Sequence, residues 1–153
     1  MGLLNSEAGK RRLLFVEFPV VERYNQKRNP EYKIQVLKRG VDLVLRYKLK
    51  PLDKVYQLET ILHSNYPVEE PETYVKTPLE QRIEREGQKL YCPHQYGKSE
   101  QKICLWKKSD SQITSQWNPS TFTCVFAIQA AWRWLAAYEI WLDRGIWPVP
   151  EAE

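Results

Sequence analysis

Cysteine is scarce in this chain, and what there is forms no framework. Three thiols in 153 residues are an odd number without paired spacing, which argues against a disulfide scaffold and for a reduced, cytoplasmic protein. No run of about 18 apolar residues occurs, so no membrane-spanning helix is expected. The first residues, Met1 to Ser6, lack a basic-then-apolar leader with a small-residue cleavage site. No Cys-x-x-Cys and no His-Glu-x-x-His is present, so Cys92, His94 and Cys104 do not add up to a zinc site. The His-x-Glu and second cysteine pair of a zinc deaminase are missing. So are the glycines of a hydrolase nucleophile elbow and those of a phosphate loop. Neither a metal nor a cofactor is expected.

Charge is also limited. The net value is +4, with basic residues gathered at Lys10-Arg11-Arg12, at Lys27-Arg28, and from Lys48 to Lys54. A nucleic-acid reader carries a stronger, more contiguous footprint with aromatics interleaved in its strands, so nucleic acid is not an expected partner. What the chain does have is enough large aromatics for a core without staples. Its length, 153 residues, suits a single domain spanning 1–153.

The hydrophobic pattern changes period along the chain. Asn5 or Ser6 can cap a helix that runs to about Phe18, where Pro19 predicts a bend. From Tyr32 the period becomes two: Tyr32, Ile34 and Val36, then Val41, Leu43, Leu45, Tyr47 and Leu49, then Tyr56, Leu58, Thr60 and Leu62. Short turns at Gly40 and Pro51 to Lys54 join these runs, and Thr73-Tyr74-Val75 adds a fourth strand. The spacing therefore predicts a four-stranded antiparallel meander with one buried face. Residues 77–89 read as a charged, exposed turn of helix. Asn118 with Pro119 predicts the start of a long helix. Its stripe would be Phe122, Val125, Phe126, Ile128, Trp132, Leu135, Tyr138 and Leu142, ended by Gly145. Trp132, Trp134, Trp141 and Trp147 are expected to pack against the sheet. The fold class is α+β.

Between sheet and helix lies a stretch of another kind: Tyr91-Cys92-Pro93-His94-Gln95, a loop with Gly97, then Ile103-Cys104-Leu105. A nucleophilic cysteine must be accessible and must sit where its thiolate is tolerated. Cys124 falls on the apolar face of the long helix and reads as structural, and Cys92 is ambiguous. Cys104 follows a polar loop, with Lys98, Lys102, Lys107 and Lys108 near it in sequence. It is the candidate nucleophile; the alternative is a buried, incidental thiol.

The order of these signals resembles a ubiquitin-conjugating enzyme over roughly residues 32–142. Tyr66-Pro67-Val68-Glu69-Glu70-Pro71 is similar to that family's Tyr-Pro turn after the third strand. Ile103-Cys104-Leu105 is similar to its thioester cysteine motif, and Trp117-Asn118-Pro119 to its Trp-x-Pro. The family's His-Pro-Asn is replaced by Cys92-Pro93-His94-Gln95, and the gap to the cysteine is longer than usual. The tail, with Trp132-Arg133-Trp134-Leu135, Tyr138 to Trp141 and Gly145 to Pro148, is similar to the bacterial conjugating-like proteins of cyclic-oligonucleotide antiphage (CBASS) operons. The resemblance implies a transferase whose Cys104 forms a thioester with the C-terminus of a cGAS/DncV-like nucleotidyltransferase and passes it to an amine. It implies that His94 or Gln95 supplies the hydrogen bond the family's asparagine would give. The Trp141 to Trp147 region is the expected partner anchor, and a homodimer is compatible with the sequence. The rival reading is a non-catalytic binding module of the same fold.

Overall fold

The computed structural model describes residues 2–97, 100–106 and 116–148. The N-terminal helix is longer than its proline predicts. It runs as α1 (Glu7–Arg12), a π-helical turn (Leu13–Glu17) and α2 (Phe18–Gln26) without a break. Ser6 caps the start, its hydroxyl accepting from Gly9 N at 3.0 Å. The helix does not end at Phe18: a π turn shifts the hydrogen-bond register just ahead of Pro19, with Phe18 N–H reaching back to Leu13 O. Proline then falls in the first turn of α2, where its missing N–H costs least.

Four strands follow as the alternation predicts: β1 (Gln35–Arg39), β2 (Asp42–Leu49), β3 (Tyr56–Leu62) and β4 (Glu72–Val75). Antiparallel register sets Leu43 against Leu62, Leu45 against Thr60, Tyr47 against Leu58 and Leu49 against Tyr56. These residues form one buried face. The Tyr47 and Thr60 hydroxyls are satisfied internally, with Tyr47 Oη to Thr60 Oγ1 at 2.6 Å and Thr60 Oγ1 to Thr73 Oγ1 at 2.9 Å, whereas the Tyr56 hydroxyl finds no partner among the described residues.

The expected helical turn over 77–89 is instead a hairpin, β5 (Arg82–Arg85) and β6 (Gln88–Tyr91). Glu86 and Gly87 between the strands have φ of 52° and 79°. Positive φ at both central residues is the backbone of a type I′ turn, which matches strand twist. Two more short strands, β7 (Gln95–Gly97) and β8 (Lys102–Ile103), extend the meander, so the main sheet has the order β1-β2-β3-β4-β8-β7.

The long helix α3 (Cys124–Arg144) lies against the sheet, and Gly145, at φ 75°, ends it in the left-handed region. It starts later than the sequence suggests. Thr123 is the cap, its Oγ1 accepting from Phe126 N at 3.4 Å. Asn118 closes a separate turn, its side chain accepting from Ser120 N at 3.0 Å. The buried stripe includes Ala127, Ile128, Ala131, Trp134, Leu135, Tyr138 and Trp141, whereas Trp132 is 42% exposed. Residues two apart on a helix point about 200° apart, so Trp132 and Trp134 cannot both face the sheet. The alanines at 127 and 131 let the helix sit close and fix which tryptophan goes in.

Among the described residues, no helix is long and apolar enough to cross a membrane.

Candidate functional site

Cys104 follows β8 at the end of the sheet. β8 pairs with β4 on one side, Ile103 opposite Thr73, and with β7 on the other, Ile103 opposite Gln95. The ladder continues one step further, because Cys104 N–H donates to His94 O at 2.8 Å. Directly opposed residues of an antiparallel pair have Cα atoms about 5 Å apart. The fold thus brings His94 and Gln95 alongside Cys104, although eight residues separate Gln95 from Cys104 in the chain.

Of the three cysteines, Cys104 is half-buried while Cys92 and Cys124 are buried. Burial pushes the Cys124 thiol well up, and the neighbouring Glu17 carboxylate pushes it further in the same direction. Cys124 is therefore held as a thiol, the poor nucleophile of the pair of states. Its backbone N–H is used structurally, donating to Glu17 Oε1 at 2.8 Å.

His94 adopts φ 60°, a left-handed backbone uncommon outside glycine, although histidine is among the residues enriched there. Its ring packs on Trp147 with centroids 5.2 Å apart, and Trp147 packs on Trp134 at 5.3 Å. His94 Nε2 and both amide atoms of the Gln95 side chain are buried and make no hydrogen bond among the described residues. Unsatisfied buried polar atoms are costly and uncommon, and these belong to the two residues whose backbone runs beside Ile103 and Cys104. Trp141, expected as a partner anchor, is buried at 3% exposure and belongs to the core; Ile146, beside Trp147, is 70% exposed.

The three motifs of the resemblance converge. Trp117 Nε1 donates to Pro67 O at 2.7 Å, and the Tyr66 ring lies 5.7 Å from the Trp117 ring. Trp106, two residues past Cys104, meets Trp117 at 5.0 Å and Phe122 and Phe126 at 6.0 Å. The segment carrying Cys104 is thus anchored by a buried indole on one side and by the sheet on the other.

Gln101 holds the β7–β8 hairpin, and nothing in the sequence points to it. Its Nε2 donates to Val75 O and Thr77 O, each at 2.8 Å. Its Oε1 accepts from Leu79 N at 2.8 Å and from Gln81 Nε2 at 3.3 Å. One amide therefore ties the loop before Cys104 to the segment leaving β4.

A charged network lies beside this hairpin. Glu72 bridges Lys102 and His63, and His63 Nδ1 lies 3.3 Å from Asp42 Oδ1. Burial alone would raise the Glu72 carboxyl, but hydrogen bonds from Lys102 and His63 outweigh it and hold the pKa below its usual value. Burial likewise acts downward on His63, and the Glu72 and Asp42 carboxylates overcome it to raise the imidazole. The network borders a cavity of about 420 Å³ lined by His63, Val68, Glu69, Glu70, Lys102 and Trp117, among others. Lys102 precedes Cys104 by two residues, a rise of roughly 7 Å along a strand. Lys98, Lys107 and Lys108, expected near the thiol, lie outside the described residues. Among those described, no group of three or more His, Cys, Asp or Glu is placed to hold a metal ion.

Sheet, covering helix and a half-buried cysteine on an anchored segment define an α+β protein. A profile of the Type II CBASS E2 protein family, E2-CBASS, matches residues 22–153. The chain belongs to that family, which associates it with CBASS antiphage defence in bacteria. Searches of curated proteins and of solved structures give no match.

Proposed function

We propose that this protein is an acyl transferase of the ubiquitin-conjugating type, with Cys104 as its nucleophile. The acyl donor is the C-terminus of a partner protein, a cGAS/DncV-like nucleotidyltransferase in the reading the resemblance favours. A free carboxylate is not electrophilic enough, so the donor arrives already activated, as an acyl phosphate ester or a thioester. The Cys104 thiolate attacks the carbonyl carbon, the tetrahedral oxyanion forms, and the activating group leaves with its electron pair. An amine then attacks the new thioester, loses a proton, and expels the thiolate.

The observation that carries this reading is the half-buried Cys104 whose N–H is held by His94 O, on a strand pair where His94 and Gln95 both carry unsatisfied buried side-chain atoms. Gln95 Nε2 can donate to an oxyanion, as can a protonated ring nitrogen of His94. The acidic cavity bordering Lys102 supports the second half-reaction: Glu69 and Glu70 suit an incoming alkylammonium before it gives up its proton.

The test is intact-mass analysis after co-expression with the neighbouring operon proteins. Wild type should carry a thiol-sensitive adduct. Cys104→Ser should carry a hydroxylamine-sensitive ester in its place. Conjugation that persists in Cys104→Ala would sink the mechanism, and tight binding without any adduct would favour a non-catalytic module.

A further inference from the structure

Two basic clusters that are far apart in the chain meet in the fold. Lys27 and Arg28 directly follow α2, Lys48 lies near the end of β2 and Lys50 just past it. All four line one cavity of about 390 Å³, together with Tyr32 and Trp132. Among the described residues no carboxylate lines it. Lys27, Arg28 and Lys50 are exposed and Lys48 is half-buried. Four cations around one small cavity repel one another unless an anion joins them.

The aromatic side of the cavity makes the site more than a cationic patch. Trp132 is the tryptophan of α3 turned away from the sheet, 42% exposed. The Arg28 guanidinium carbon sits 3.4 Å from the centroid of the Tyr24 ring while Nη1 donates to Tyr24 O at 2.9 Å, which fixes that cation at the cavity wall. An exposed π face beside fixed and mobile cations is the pairing that receives a nucleobase together with its phosphates. The volume lies at the lower end for small-molecule sites, which favours a single nucleotide over a strand.

We propose that this cavity is a nucleotide-binding site, with Lys27, Arg28, Lys48 and Lys50 on the phosphates and Trp132 and Tyr32 on the base. It is separate from the thiol chemistry. β2 and β8 are three strand spacings apart, roughly 14 Å.

The experiment is calorimetric titration of the full chain with ADP, adenosine, pyrophosphate and a long oligothymidylate, at low and at physiological salt. ADP should bind saturably at one site and more tightly than either pyrophosphate or adenosine. Lys48→Glu and Lys27→Glu should each weaken ADP roughly tenfold. Trp132→Ala should weaken ADP roughly tenfold while leaving pyrophosphate unchanged. Cys104→Ser should bind ADP as wild type does. Lys27 is exposed and outside any core contact, so its variant keeps the test readable if Lys48→Glu unfolds; thermal melts report which has happened. Absence of ADP binding would overturn the proposal. So would pyrophosphate binding as tightly as ADP with no effect of Trp132→Ala, or an affinity that rises with oligothymidylate length.

Discussion

The chemistry proposed for Cys104 turns on one half-buried thiol whose backbone N–H is held by His94 O. Gln95 and His94 are candidates only through the resemblance, and the β7–β8 pairing brings their backbone beside Ile103 and Cys104, with Cys104 N–H on His94 O. If Gln95 serves the oxyanion, Gln95→Ala should slow adduct formation roughly 100-fold while leaving partner binding unchanged. Single-turnover mass spectrometry separates the two. A thiol between two apolar residues, after a polar loop, is visible in a string of letters. Gln101 was not legible at all. Its four partners lie 20 to 26 residues earlier, and a lone polar residue in a loop carries no mark of them. Removing the amide leaves carbonyls and an N–H unsatisfied, so Gln101→Ala should cost about 2 kcal/mol of stability in a urea melt. Gln101→Glu should not rescue it, because a carboxylate cannot donate to Val75 O and Thr77 O.

Among the elements, strands with a buried face were read correctly because alternation in β2 and β3 lasts seven or eight residues. β7 and β8 are three and two residues long, too short for any period to register. The N-terminal helix misled for another reason: proline is read as a local breaker, whereas the π turn before it removes the conflict. That same turn delivers Glu17 to the interior, 1% exposed, where it accepts from Arg12 Nε and Cys124 N. Arg12 also donates to Pro119 O at 2.8 Å and Phe122 O at 2.6 Å. One buried ion pair thus clamps α1 to the start of α3. Removing one charge of such a pair strands the other, so Glu17→Gln should cost about 3 kcal/mol or more in equilibrium unfolding. Glu17→Gln can still accept from Cys124 N, so a loss this size would come from Arg12. A cost within error of zero would mean that Arg12 is sufficiently neutralised by the two carbonyls alone.

Across the whole molecule, the sheet is held laterally by charge as well as by its ladder. Asp42 starts β2, His63 follows β3, Glu72 starts β4 and Lys102 lies in β8, and the ion pairs among them cross three strand boundaries beside the candidate site. Tyr74 also faces this cluster, its hydroxyl 3.3 Å from Glu72 Oε1, and burial with that carboxylate pushes it up to about 12, so it stays neutral through the working range. Two titrations then bound the stability of this wall. His63 is raised above its usual 6.5; its contribution is complete below that value and is lost as pH rises through the folded pKa. Glu72 is lowered below 4.5; its contribution is present above that value and disappears as pH falls through the folded pKa. Stability from the network is therefore greatest between the two. His63 is about a third exposed, so solvent screens the effect and the shift will be small. The expected result is a melting temperature that declines from pH 6.5 upward in wild type and declines less in His63→Gln, with the difference shrinking at high salt. Parallel wild-type and variant curves would show that the imidazolium does not hold the strands together. In that case the His63 contacts serve the adjoining acidic cavity, and the variant's effect should appear in amine transfer instead.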